Sequence, residues 1–199
     1  MQSLDEVKRA IVVGIPGVGK STIVNKTVDL LKNQGITAKS VIFGSVMFDE
    51  AMKLGLAQHR DDMRKLSVTE QTKLQVLAAS SIKNMSADVV IVDTHLFIHT
   101  QEGYWPGIPE SVLKALSPTH LICLEATPKE IINRRARDRS RFRDPITEDE
   151  INKDLELSRT MLSTLAILSG APMLLTPNSE GNADEAARNV VRGLGINIG

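Results

Sequence analysis

The sequence of 199 residues has one cysteine, one tryptophan and one tyrosine, and no apolar run near the roughly 20 residues that span a bilayer. With Cys123 as the single cysteine, the chain has neither an internal disulfide nor a zinc site built from several cysteines. Cys123 lies in the apolar run 121–124, which predicts a buried thiol rather than a nucleophile.

Excess charge of one sign is also missing. The 24 basic side chains (Lys and Arg) equal the 24 acidic ones, so there is no overall electrostatic argument for binding nucleic acid or a membrane surface. The first six residues lack the apolar core of a signal peptide. We therefore expect a cytoplasmic protein without nucleic-acid or membrane partners.

The most informative segment is a glycine loop that fits the pattern G-x-x-x-x-G-K-[ST]. A β-branched run, 10–13, precedes it, and apolar residues at helical spacing follow it as far as Gly35. In a strand–loop–helix arrangement, backbone N–H groups hold phosphates at a helix N-terminus. Lys20 would reach the β- and γ-phosphates, and the Ser21 hydroxyl would ligate Mg²⁺. The predicted nucleoside triphosphate site consists of Gly14, Ile15, Pro16, Gly17, Val18, Gly19, Lys20, Ser21 and Thr22.

Strand-like and helical segments alternate along the whole chain. The strand-like runs are 10–14, 39–43, 88–93, 119–124 and 171–175. N-cap signals at Ser67, Thr127, Thr147 and Asn182 begin helices between or after them. This order predicts an α/β fold, the three-layer sandwich of P-loop NTPases, with about five parallel strands and helices on both faces. We expect a single domain over residues 1–199.

Asp93 closes the third strand-like run, where parallel sheets place their ligands. A carboxylate at this point would assist Mg²⁺ through water, although it could instead cap the following segment. His95, two residues later, could donate to a phosphate or substrate, or be an ordinary surface or core histidine.

Arginine is concentrated between residues 134 and 143. Guanidinium groups suit multiply charged phosphates, and like charges at this density repel unless an anion lies among them. The alternatives are a solvated face paired with nearby carboxylates and an arm that contacts RNA. The six arginines are Arg134, Arg135, Arg137, Arg139, Arg141 and Arg143.

A smaller basic pair, Arg60 and Arg64, follows the second strand-like run. Residues one α-helical turn apart face the same side, so the pair could form a second anion site, or be ordinary surface charge. The Gly- and Pro-rich segment 103–109 contains the tryptophan and the tyrosine and suits a wall over a base or sugar.

The blocks at 14–22, 43–47, 60–66, 92–95 and 103–109 together resemble the archaeal-type adenylate kinases. The resemblance extends over nearly the whole chain and implies reversible, Mg²⁺-dependent phosphoryl transfer between ATP and AMP by a homotrimer. It implies an AMP-binding region at approximately 36–66 and a lid at approximately 134–146. By position it assigns Gly44, Arg60, Arg64 and His95 to AMP, Arg135 to ATP, and catalytic roles to Lys20, Asp93, Arg134 and Arg143.

The lid is expected to carry no zinc, because the single cysteine lies in a strand and residues 127–147 are too few for an inserted zinc ribbon. Two other interpretations stay open at this point. One is a kinase for another nucleoside monophosphate or a small alcohol. The other is a P-loop ATPase that acts in RNA or protein assembly.

Overall fold

The computed structural model describes residues 6–138 and 146–197, which form seven strands and seven α-helices. The strands are β1 (Lys8–Val13), β2 (Ala38–Ile42), β3 (Val89–Asp93), β4 (Phe97–Thr100), β5 (Gly103–Pro106), β6 (His120–Glu125) and β7 (Met173–Pro177). The helices are α1 (Lys20–Asn33), α2 (Phe43–Lys53), α3 (Val68–Lys83), α4 (Glu110–Leu116), α5 (Pro128–Arg137), α6 (Glu148–Ser169) and α7 (Ala183–Gly193).

The central sheet has five parallel strands in the order β2-β3-β1-β6-β7. Its middle strands are almost wholly buried, and β3 is buried at every position, because helices cover the sheet. On one side α1 packs on α7, while α2, α3, α4, α6 and α5 form a second contacting series. The predicted α/β fold with five parallel strands is confirmed.

The second strand ends earlier than the sequence pattern indicates. Ile42 is the N-cap of α2, so the chain passes from β2 into the helix without a loop, and Phe43 is the first, buried helical residue. The apolar character of Phe43 thus reflects helix packing rather than a further strand position.

Hydrogen bonds of the predicted kind start three of the helices. At Ser67, Thr127 and Thr147 the hydroxyl accepts from the backbone N–H three residues later. The glutamate carboxylate at that later position accepts from the backbone N–H of the N-cap residue. These bonds hold the pKa of each glutamate, Glu70, Glu130 and Glu150, below its usual value. Asn182 occupies the N-cap of α7, but its side chain makes no capping hydrogen bond.

An antiparallel hairpin of β4 and β5 follows β3, where the sequence indicates only a turn-rich segment. The rings of Phe97, His99 and Tyr104 pack at centroid distances of 4.6–5.5 Å. Just after the hairpin, the Gly107 N–H donates to the Leu96 carbonyl at 2.7 Å. The hairpin is thereby closed beside the carboxyl end of β3.

Cys123 lies within the sheet and is fully buried. Burial raises the pKa of its thiol to about 12, which agrees with the predicted unreactive cysteine. Within the described residues, none of the helices is both long and apolar enough to cross a bilayer.

Candidate active site

The glycine loop connects β1 to α1, as predicted. Gly17 and Gly19 have φ values of 96° and 90°, in the left-handed region that side chains disfavour. A Cβ on Gly19 would lie 2.6 Å from Asn178 Nδ2, and one on Gly17 would lie 3.0 Å from Arg135 Cγ. Because α1 begins at Lys20, the positive end of its dipole points at this loop.

Lys20 and Asp93 are brought together at the end of the sheet. The Lys20 ammonium donates to the Asp93 carboxylate and, at 2.8 Å, to the Thr94 carbonyl. Both charged side chains are only 11% exposed. Because little solvent reaches them, each charge depends on the other for compensation. The pairing places the loop lysine and the strand-end carboxylate in one group, as the sequence indicates.

A cleft of about 1190 Å³ opens over this pair. Of the predicted site residues, those that line it are Ile15, Pro16, Gly17, Gly19, Lys20, Ser21, Thr22, Gly44, Arg60, Asp93, His95, Arg134 and Arg135. Gly14 lines an adjoining cavity of about 180 Å³ under the loop, and Val18 is buried. Arg64 is exposed and lies outside the cleft lining, and Arg143 lies outside the described residues.

The described arginines of the group at 134–143 contact the protein itself. Arg134 donates to the carbonyls of Val18 at 3.1 Å and Asn178 at 2.8 Å. Arg135 Nε donates to the Pro16 carbonyl at 2.8 Å. Arg137 pairs with Glu180 at 2.6 Å. Arg137 thus has a carboxylate partner, and the expectation that the arginine group binds phosphate stays a prediction, with Arg139, Arg141 and Arg143 outside the described residues.

The basic pair after α2 is arranged differently from the prediction. Arg60 and Arg64 lie on a 3-10 helix, Arg60–Lys65, and with three residues per turn, positions four apart point roughly 120° away from each other. The assumed common face is therefore wrong. Arg60 alone reaches the cleft, where its guanidinium donates to the Ser45 hydroxyl and lies 5.9 Å from the Phe48 ring centre.

The start of this 3-10 helix is stabilised by Asp62. Its carboxylate accepts from Lys65 at 2.9 Å and from the backbone N–H groups of His59 and Gln58. Together these hydrogen bonds lower the pKa of Asp62 to about 2. Asp62 therefore stays ionised and holds the segment that presents Arg60.

Two functional candidates are absent from the sequence prediction. Asn178 is buried, with 4% of the residue exposed, and its Nδ2 donates to the Val18 carbonyl at 2.6 Å. It directly follows β7, so the strand-end rule that selects Asp93 also applies to it. Asp154, on α6, is buried at the cleft, and its Oδ2 lies 3.2 Å from His99 Nε2. The two residues are 55 positions apart, so no local pattern predicts their contact.

The donor set of the cleft fits Mg²⁺. The Ser21 hydroxyl and the Asp93 carboxylate both line the cleft beside Lys20, and oxygen ligands with retained waters are what this ion prefers. Among residues 6–138 and 146–197 no group of three or more His, Cys, Asp or Glu side chains could hold a metal.

A glycine loop at the start of a helix, a paired lysine and aspartate behind it, and a parallel sheet of order β2-β3-β1-β6-β7 define a P-loop kinase. The fold resembles that of the shikimate kinase from Acinetobacter baumannii, with a TM-score of 0.58 and 14% identity over 94% of this chain and 93% of that one. A family model described as an AAA domain matches residues 13–152.

Sequence comparison identifies the particular family. The chain is 39% identical to the adenylate kinase of Methanocaldococcus jannaschii, covering 94% of this chain and 98% of the relative. It is 40% identical to the enzyme of Pyrococcus horikoshii, with 94% and 95% covered, and 37% identical to that of Sulfurisphaera tokodaii, with 94% and 100% covered. The chain belongs to the adenylate kinase family.

Proposed function

We propose that the chain transfers the terminal phosphoryl group of ATP to AMP, reversibly and with Mg²⁺, to give two ADP. The observation that carries this proposal is one continuous cleft that extends from the glycine loop to Gly44 and Arg60. A donor and an acceptor nucleotide need to meet within one cavity that excludes water, since otherwise ATP would be hydrolysed. We assign residues 36–66 approximately to AMP binding and residues 134–146 approximately to the lid.

Most of the work expected of the protein is positioning and neutralisation of charge. The transition state of phosphoryl transfer is loose, and an AMP phosphate oxygen is already anionic, so the protein needs no general base. The loop residues 14–22 and Arg135 hold ATP, with Lys20 at its terminal phosphates. Gly44, Arg60 and His95, which line the cleft, are assigned to AMP. Ser21, and Asp93 through water, would hold Mg²⁺, which would supply positive charge to the phosphates.

The lid arginines complete the proposed mechanism. Arg134 and Arg143 are assigned catalytic roles because guanidinium groups neutralise charge that develops on the transferred phosphoryl group. Arg134 already lies at the cleft beside the loop. A lid without zinc and a cytoplasmic location stay predictions.

AMP should be the preferred acceptor. Purified protein incubated with Mg·ATP and AMP is expected to form ADP, and CMP and UMP are expected to react more slowly. Chromatographic separation of the nucleotides after a fixed time measures this. Equal rates with the three monophosphates would contradict the adenylate assignment, and ADP formed from ATP alone would favour an ATPase.

We also propose a homotrimer, as the family resemblance implies. Support comes from large apolar side chains exposed at the end of α6, where Ile167 is 83% and Leu168 is 58% exposed, and on the edge strand at Met173 and Leu175. Light scattering at micromolar concentration should give three times the chain mass of 21.8 kDa. A mass equal to one chain would refute the trimer.

A further inference from the structure

The carbonyl oxygen of Val18, inside the glycine loop, accepts hydrogen bonds from two side chains of distant segments. Asn178 Nδ2 donates at 2.6 Å and Arg134 donates at 3.1 Å. Arg134 is a lid residue, whereas Asn178 is buried behind the loop. Of the two donors, Asn178 is therefore the one that is shielded from solvent.

Asn178 is itself held firmly by the sheet. Its backbone N–H donates to the carbonyl of Glu125, the last residue of β6, at 2.7 Å. The Glu125 carboxylate in turn accepts two hydrogen bonds from the guanidinium of Arg159, from Nε at 2.7 Å and from Nη2 at 3.0 Å. This pair connects the end of β6 to α6. The sheet thus fixes the backbone of Asn178, and its side-chain amide holds the glycine loop in one position.

The orientation of one loop peptide follows from this contact. No cis peptide occurs in the described residues, and in a planar trans peptide the C=O and the N–H of the same unit point in opposite directions. The Val18 carbonyl and the Gly19 N–H belong to one unit. When Asn178 holds the carbonyl behind the loop, the Gly19 N–H is directed to the opposite side.

The close approach of Asn178 also explains why position 19 has to be glycine. Gly19 lines the cleft with φ of 90°, and a Cβ there would lie only 2.6 Å from the Asn178 nitrogen that makes the hydrogen bond. The hydrogen bond from Asn178 to Val18 therefore requires a residue without a side chain at position 19.

We propose that Asn178 is a positioning residue, which orients the Val18–Gly19 peptide so that its N–H group faces the phosphates of ATP. It acts through the loop and not by its own contact with the reacting atoms. The inference rests on the proposed assignment of the loop to ATP. It predicts a selective defect, because the AMP side of the cleft, at Gly44 and Arg60, is built from other segments.

The test uses two substitutions, Asn178→Ala and Asn178→Asp, in the full chain. Aspartate keeps the volume of asparagine but presents an oxygen acceptor to the Val18 carbonyl in place of a donor. Loss of a buried hydrogen bond should raise the Kd and KM for ATP by roughly tenfold or more in both variants. The KM for AMP should stay within about twofold, because the contact lies on the donor side.

The matched control is Asn182→Ala, which removes the same amide from an exposed position of the same loop, where it makes no capping bond. It should leave both KM values unchanged. Calorimetric titration with ATP and with AMP, steady-state kinetics and circular dichroism supply the readouts.

Three outcomes would overturn the inference. An Asn178→Asp variant with the wild-type KM for ATP would show that the side chain acts only by its volume. Equal losses for ATP and AMP, or failure of both variants to fold, would show a structural role. A Lys20→Ala variant measured in parallel separates this from failure of the proposed function, since unchanged ATP affinity in that variant would remove the loop from the ATP site altogether.

Discussion

A Lys20→Ala variant is expected to lose at least about a hundredfold in kcat, the range measured when a preorganised charge contact to a reacting group is removed. An Asp93→Ala variant should lose a similar factor. The two groups form one buried ion pair at the cleft, so each variant also leaves the other charge without its partner. Turnover should fall by more than any change in folding can explain, and steady-state kinetics at saturating Mg·ATP and AMP measure it.

Stability has to be measured alongside turnover, because breaking a buried ion pair destabilises a protein by about 3–5 kcal/mol. The double variant Lys20→Ala, Asp93→Asn removes both charges and should recover part of that loss but none of the activity. The control is Lys26→Ala on the same helix, which breaks an exposed pair with Asp184 at 2.6 Å. It should change stability by less than about 1 kcal/mol and leave kcat unchanged. An Asp93→Ala variant with near-normal turnover at saturating Mg²⁺ would contradict the proposed magnesium role.

Gly107→Ala is expected to destabilise the protein by about 3 kcal/mol, through overpacking and the hydrogen bond that is lost when the segment moves. A Cβ at this position would lie 2.0 Å from the His95 carbonyl oxygen and 2.9 Å from its carbonyl carbon. These atoms belong to the backbone, so no side-chain rotation relieves the clash. The segment would have to move, and the hydrogen bond from Gly107 to Leu96 would break.

Urea unfolding measures this effect against a second Gly→Ala substitution. Gly44 lies in α2, and a Cβ there would meet no heavy atom of the described residues within 4 Å, apart from its chain neighbours and its own helix backbone. Gly44→Ala should therefore stabilise the helix by roughly 0.5–1 kcal/mol. Because His95 lines the cleft, Gly107→Ala should also raise the KM for AMP. An unchanged unfolding midpoint for Gly107→Ala would show that the hairpin accommodates the methyl group.

The sheet and the helix starts could be predicted because their causes are local. Unbroken β-branched runs predict buried parallel strands, and Ser67, Thr127 and Thr147 satisfy helix N–H groups within three residues of themselves. The site residues Lys20 and Asp93 could be predicted from two different signals. Lys20 belongs to the glycine-loop motif, whose spacing is fixed, and Asp93 ends β3, where parallel sheets place their ligands.

The failures concern geometry that the spacing of residue types does not specify. The direction of Arg64 depends on whether residues 60–65 form an α-helix or a 3-10 helix, and the sequence spacing is compatible with both. The hairpin of β4 and β5 pairs only four residues on each side, and its turn residues resemble those of a loop. The pairing of His99 with Asp154 depends on how α6 packs, which no local pattern specifies.

The chain separations within the site have a consequence for the order of folding. Val18 meets Asn178 across 160 positions and Arg134 across 116, and Lys20 meets Asp93 across 73. Contacts between such distant segments require closure of long chain loops, and the Val18–Asn178 contact forms only once β7, which directly precedes Asn178, has joined the sheet. A nucleotide that needs the glycine loop held by Asn178 cannot bind partly folded chains. By mass action, ATP therefore lowers the free energy of only those molecules in which β7 has joined the sheet.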